Sequence, residues 1–145
     1  MAVVCRTIPV DRAAVFAALV DPYTYPRWLV GAKAIRSVDD DWPTPGSAFH
    51  HRVGLGGPLE VADLSKVLEV EPPALLSLEV RIRPFGRGRA RFTLVDAPGA
   101  EPATVVELDE VPIGLLAPTR PLLDPLTVQR NRRSLERLEA FLTEA

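Results

Sequence analysis

Apolar and polar positions alternate with a period of two along most of the chain's middle. Phe49, His51 and Val53 share one face of a segment, Leu76, Leu78, Val80 and Ile82 of another, Ala90, Phe92 and Leu94 of a third, and Val106, Leu108 and Glu110 of a fourth. Such alternation predicts half-buried strands whose listed side chains point inward. Near both ends the period changes to that of a helix. Val15, Phe16 and Leu19 form a short apolar stripe, and Val128, Asn131, Leu135, Leu138 and Leu142 form a longer one, with Arg130, Arg133, Arg137 and Glu144 off its line.

Prolines punctuate these segments, because each fixes φ and removes a backbone donor. The resulting order is a strand over 3–8, a helix over 12–20, an irregular piece over 23–29, and strands near 32–40, 47–55, 59–71, 74–83, 87–96 and 103–111. A helix over roughly 122–143 closes the order. Asp11 is placed to cap the first helix, with Val10 and Val15 as its hydrophobic staple, and Asp21-Pro22 ends it. The links between the middle strands are too short for parallel crossovers, so an antiparallel meander is expected. The fourth strand changes phase. Leu59, Val61 and Asp63 face inward by the turn before it, Leu68 and Val70 by Pro72-Pro73 after it, which requires a bulge between Asp63 and Leu68.

The 145 residues, 47% hydrophobic and 25% charged, suit one domain over 1–145 with its own core. A net charge of −2 gives no general attraction to nucleic acid or anionic lipid. No apolar run reaches the length of a membrane span, so membrane insertion is not expected and a soluble, cytoplasmic protein is. One cysteine, Cys5, excludes an internal disulfide, and with His50-His51 it is too little for a structural zinc site. No metal and no cofactor are called for. Arg81, Arg83, Arg87, Arg89 and Arg91 cluster on one outer face, but the register places Glu79, Arg91 and Asp109 in one row there with Glu107 nearby. A solvated face of compensating charge is expected, not a nucleic-acid surface.

Segments TIPVDRAAVFAALVDPYTYPRWLVGA, WPTPGSAFHHRVGLGGPL, VLEVEPPALLSLEV and DPLTVQRNRRSLERLEAFL resemble the START/Bet v 1-like superfamily (SRPBCC), in its bacterial polyketide cyclase/dehydrase branch. The resemblance implies an α+β helix-grip fold: a seven-stranded antiparallel sheet wrapped around the C-terminal helix, with an apolar cavity between them. It also implies functions ranging from aromatic polyketide cyclases to lipid or hormone carriers. The expected partner is a small hydrophobic or aromatic molecule; a homodimer is left open. The alternative is a regulatory or stress-related interaction protein with a small or filled cavity.

The residues offer a wall for such a cavity: Leu78, Val80, Phe92, Leu108 and Leu135, with Val128 and Leu138 also on the helix side. Phe49 and His51 share a strand face in it, and small Gly88 and Ala90 leave volume free. Trp28, Tyr23 and Tyr25 fall where the resemblance implies the cavity entrance, either stacking on a flat ligand or covering the core. Glu110 stands out, in a row with Ala90 and then Val80. Enclosed there, it would lose hydration and hold its proton; reached by Arg89 or another arginine, it would stay ionised; and if the strand ended before Pro112 it would turn to solvent. Asp63 and Asn131 are polar positions that could meet it. Glu110 and His51 are the two candidates for moving protons. No nucleophile is paired with a base, since there is no G-x-S-x-G and Cys5 has no evident activator.

Overall fold

The computed structural model describes residues 3–30, 32–56, 59–82 and 86–144, with the backbone alone at 33, 52–56, 59–63, 82, 86, 115, 116 and 123. Strand β1 (Val3–Ile8) leads into helix α1 (Arg12–Leu19), a 3-10 turn (Pro22–Thr24) and the short helix α2 (Tyr25–Trp28). Then follow β2 (Ala32–Val38), β3 (Ala48–Gly56), β4 (Leu59–Glu71), β5 (Leu75–Ile82), β6 (Gly86–Asp96) and β7 (Thr104–Ile113). A second 3-10 turn (Gly114–Thr119) enters α3 (Arg120–Thr143).

The seven strands form one sheet in the order β1-β7-β6-β5-β4-β3-β2, antiparallel throughout. Consecutive strands from β2 to β7 are neighbours because their links allow nothing longer, and β1 closes onto β7. The inner face carries Phe49, Leu76, Leu78, Ala90, Phe92, Leu94, Val106 and Leu108, all buried. Leu135 and Leu138 of α3 pack into the same core, with Val128 and Leu142 at its margin. Arg6 Nε reaches Glu139 Oε1 at 3.0 Å, fastening α3 to β1, and the Val30 N–H donates to Ser134 Oγ at 3.0 Å, fastening the stretch after α2 to α3.

Helix α1 buries Val15, Phe16 and Leu19 as its stripe predicts, and Ala18 with them. Asp11 stands at its N-cap in extended backbone, but the side chain makes no capping bond. The expected bulge is present at the edge of its window. The β4–β5 register shifts between Val67 and Glu69, so Leu68 itself is the extra residue. Leu68 is therefore 41% exposed and Val67, 1% exposed, takes the inward position assigned to Leu68. Val53, Leu59, Val61, Asp63 and Ile82 were expected to point inward; their side chains, and Arg83 altogether, lie outside the described residues.

Two expected rows need correction. Ala90 pairs with Glu110 as expected, but its partner on β5 is Leu78, while Val80 faces Gly88. Likewise Arg91 pairs with Asp109, but Glu79 lies opposite Arg89. The expected register left Ile82 opposite Gly88; the observed Ile82↔Gly86 pairing tightens the hairpin link, and every β5 partner moves by two residues without changing face. On the outer face Glu79 is buried beneath two arginines: Arg81 Nε lies 3.2 Å from one carboxylate oxygen and Arg87 Nη1 3.1 Å from the other.

Candidate functional site

A cavity of about 450 Å³ lies between the inner face of the sheet and the first turns of α3. Its sheet wall comes from alternate positions of adjacent strands: Phe49 and His51, Ser65, Leu78 and Val80, Gly88, Ala90 and Phe92, and Leu108 and Glu110. The small residues matter here. Gly88 and Ala90 occupy β6 where a larger side chain would reach toward α3, and this missing volume is part of the space. From α3 come Leu126, Thr127 and Arg130, and Leu126 is 66% exposed, so the cavity opens to solvent beside it.

The helix side differs from expectation. Val128, Leu135 and Leu138 belong to the packed core, not to the cavity wall, and Asn131, 1% exposed, sits behind it. The helix presents its 126–127–130 face to the space, which a stripe drawn through Asn131 and Leu135 misses by about one residue's rotation, roughly 100°. Arg130, placed away from the apolar line on sequence grounds, therefore projects into the cavity.

Aromatic rings close the cavity's inner end. Trp28 is fully buried and Tyr25 nearly so, and both line the space as well as capping the core. Tyr25 stands edge-on to Trp28 at 5.2 Å and to Phe49 at 5.3 Å, and Trp28 edge-on to Phe92 at 6.2 Å. The Tyr25 hydroxyl donates to the Leu19 carbonyl, and Trp28 Nε1 donates to Thr24 Oγ1 at 3.0 Å, so the polar end of each ring is satisfied. Burial pushes the Tyr25 hydroxyl far above its usual pKa, with Asp21 adding to the effect, so it stays protonated. Tyr23, by contrast, is 62% exposed and has no part in the wall.

Two polar pairs interrupt the apolar lining. On β3 and β4, His51 Nε2 and Ser65 Oγ lie 3.1 Å apart, both buried. His50 faces the other way, as alternation requires. Ser65 faces inward, but a bulge expected anywhere between Asp63 and Leu68 leaves its phase open in the sequence. The Asp63 backbone pairs with His51, and its side chain is outside the described residues.

The second pair joins β7 to α3: Glu110 Oε2 meets Arg130 Nη2 in an ion pair. Strand β7 does not stop before Pro112 but runs to Ile113, which keeps Glu110 in the ladder opposite Ala90 and pointing inward. Arg130, not Arg89, is the arginine that reaches the carboxylate. Burial in turn lowers the Arg130 guanidinium below its ordinary value, though arginine keeps its proton in proteins. Arg130 Nε also lies 3.4 Å from Asn131 Oδ1, while Asn131 Nδ2, buried, has no hydrogen-bond partner among the described atoms.

Cys5 is exposed on β1, away from this space, and its thiol is raised by partial burial and by Glu107, which keeps it in the less nucleophilic form.

An open meander gripping a C-terminal helix around an apolar cavity defines a helix-grip, α+β protein. The family profile described as polyketide cyclase / dehydrase and lipid transport matches residues 2–142, and the chain belongs to that family. Solved structures share the fold. A protein from Nitrosomonas europaea superposes with a TM-score of 0.71 at 18% identity, over 97% of this chain and 92% of the other. The Zhui aromatase/cyclase from Streptomyces sp. R1128 gives 0.71 at 13% identity, over 97% and 91%. Ara h 8.0201 gives 0.70 at 14% identity, over 97% and 95%. A comparison with curated proteins finds no match.

Proposed function

We propose that the protein binds a small, flat, predominantly apolar molecule in the cavity between its sheet and α3. The observation that carries this reading is the cavity itself. Its volume of about 450 Å³ falls within the range of about 300–1,000 Å³ typical of ligand sites, and apolar walls with a few fixed polar groups are the usual composition of such sites. Trp28, Phe49, Leu78, Val80, Ala90, Phe92 and Leu108 would supply the apolar contact, and His51 and Glu110 the orientation. Asn131 and Leu135 would act from behind, holding α3 and Arg130 in place. A space of this size also weighs against the alternative of an interaction protein with a filled core. No helix among the described residues is long and apolar enough to cross a membrane.

A cyclase-like activity is the second reading. It is favoured by the presence of two polar pairs, His51 with Ser65 and Glu110 with Arg130, on one apolar cavity, which could fold a poly-β-ketone and move protons during ring closure. Native mass spectrometry of protein purified from its own host tests binding without presupposing the ligand. One small apolar molecule per chain is the expected result. Bare chain throughout, with no uptake of added neutral aromatic probes, would contradict it.

A further inference from the structure

We infer that Glu110 makes this cavity selective for uncharged ligands, admitting a ketone or phenol in preference to the matching carboxylate. The inference rests on the proposed cavity reading and adds the ligand's charge class to it. Among the described side chains the charged groups on the cavity are Arg87, Glu110 and Arg130; His51 and Tyr25 are the other titratable ones, and Tyr25 keeps its proton. Arg87 shares Glu79 with Arg81 and its side chain is 46% exposed, so its charge is partly offset by that carboxylate and screened by solvent. His51 stands on β3, four strands from β7 in the sheet, and is engaged with Ser65.

Arg130 alone in an apolar wall would be a carboxylate receptor, because its planar fork matches a carboxylate and its side chain, 38% exposed, is only partly solvated. Glu110 removes that property. With its carboxylate on Nη2, a ligand anion approaching Arg130 meets an attraction and a repulsion of similar size at similar distance. The anion's lost hydration is then left uncompensated. A neutral carbonyl faces no such loss. Nε and Nη2 are directed at Asn131 and Glu110, which leaves Nη1 to donate to a ligand oxygen, while Glu110 can accept from a ligand hydroxyl. The same pair thus supplies a donor and an acceptor with no net charge.

The test uses two probes of one ring system, 2-acetylnaphthalene and 2-naphthoate, which differ by a methyl group against an anionic oxygen. Both are titrated at pH 7 against the wild type, Glu110→Gln and Glu110→Ala, with folding checked by circular dichroism. The wild type is expected to prefer the ketone by at least about tenfold beyond the ratio of the probes' octanol–water partition at the same pH. In either folded variant the ketone-to-carboxylate preference is expected to shift by at least about tenfold toward the carboxylate. An unchanged preference in a folded variant overturns the selectivity claim and leaves the cavity reading standing. If neither variant folds, the wild-type preference decides, and a value equal to the partition ratio overturns the claim. Failure of the wild type to bind either probe overturns the cavity reading and the selectivity claim together.

Discussion

Ala90→Phe is expected to abolish binding of a neutral apolar fluorescent probe while leaving the fold intact. Ala90 sits at the middle of the cavity's sheet wall, paired with Leu78 on one side and Glu110 on the other, and its methyl group looks across the space toward α3. A phenyl ring there projects into existing volume, not into packed atoms. The strain should be correspondingly modest, at the lower end of the about 1–3 kcal/mol seen when side chains are enlarged in tightly packed cores. The affinity loss should be large, at least about tenfold, because the ring occupies the position that a flat ligand would take. Fluorescence titration and urea unfolding on the same preparation separate the two effects. Unaltered probe affinity in folded Ala90→Phe would show that the probe binds elsewhere.

Trp28→Ala is expected to act mainly on stability. The indole is fully buried, stands edge-on to Tyr25 and Phe92, and hydrogen-bonds Thr24, so it joins α2 to the inner face of β6. Truncation of a buried tryptophan costs about 3–5 kcal/mol, and the adjoining cavity prevents the neighbours from collapsing to recover much of it. For a domain with the usual total of about 5–15 kcal/mol, that is a large fraction. Equilibrium urea denaturation should show a much lower midpoint with little change in slope. A midpoint within error of the wild type would mean that the ring is not the keystone its contacts imply. Binding of apolar probes should weaken in parallel, since the same ring forms the cavity's inner end.

The elements of this fold were legible because their signals are local. Prolines mark the ends of strands, alternation marks their faces, and the short links leave only an antiparallel meander. The pairing of Ala90 with Glu110 follows from such local features, and so does the inward turn of His51. What escaped was set by geometry between elements. The β5–β6 partner of Ala90 is Leu78 and not Val80 because the link after Ile82 is shorter than the register assumed, and hairpin register depends on loop length to the residue. Leu68 was assigned inward because the phase change in β4 shows that a bulge exists without showing which residue it ejects. Arg130 was missed for a third reason. A helical stripe shows which residues are apolar together, but the rotation of the helix on its sheet decides which of them, and which neighbours, meet a cavity. At 100° per residue, a rotation of one residue exchanges Asn131 for Arg130. The ion pair of Glu110 with Arg130 joins residues 20 positions apart through that rotation alone, so no spacing rule could have disclosed it.

The account stands on the cavity being the place where an apolar ligand resides. The most direct measurement is a set of intermolecular nuclear Overhauser effects between 2-acetylnaphthalene and protein labelled at its leucine and valine methyl groups. Contacts are expected to Leu78, Val80, Leu108 and Val111 on the sheet and to Leu126 at the opening, and to vanish in Ala90→Phe. Contacts confined to exposed positions outside the cavity, such as Leu68, Val95 and Leu122, would contradict the account, because the probe would then be sitting on the surface while the interior stayed empty.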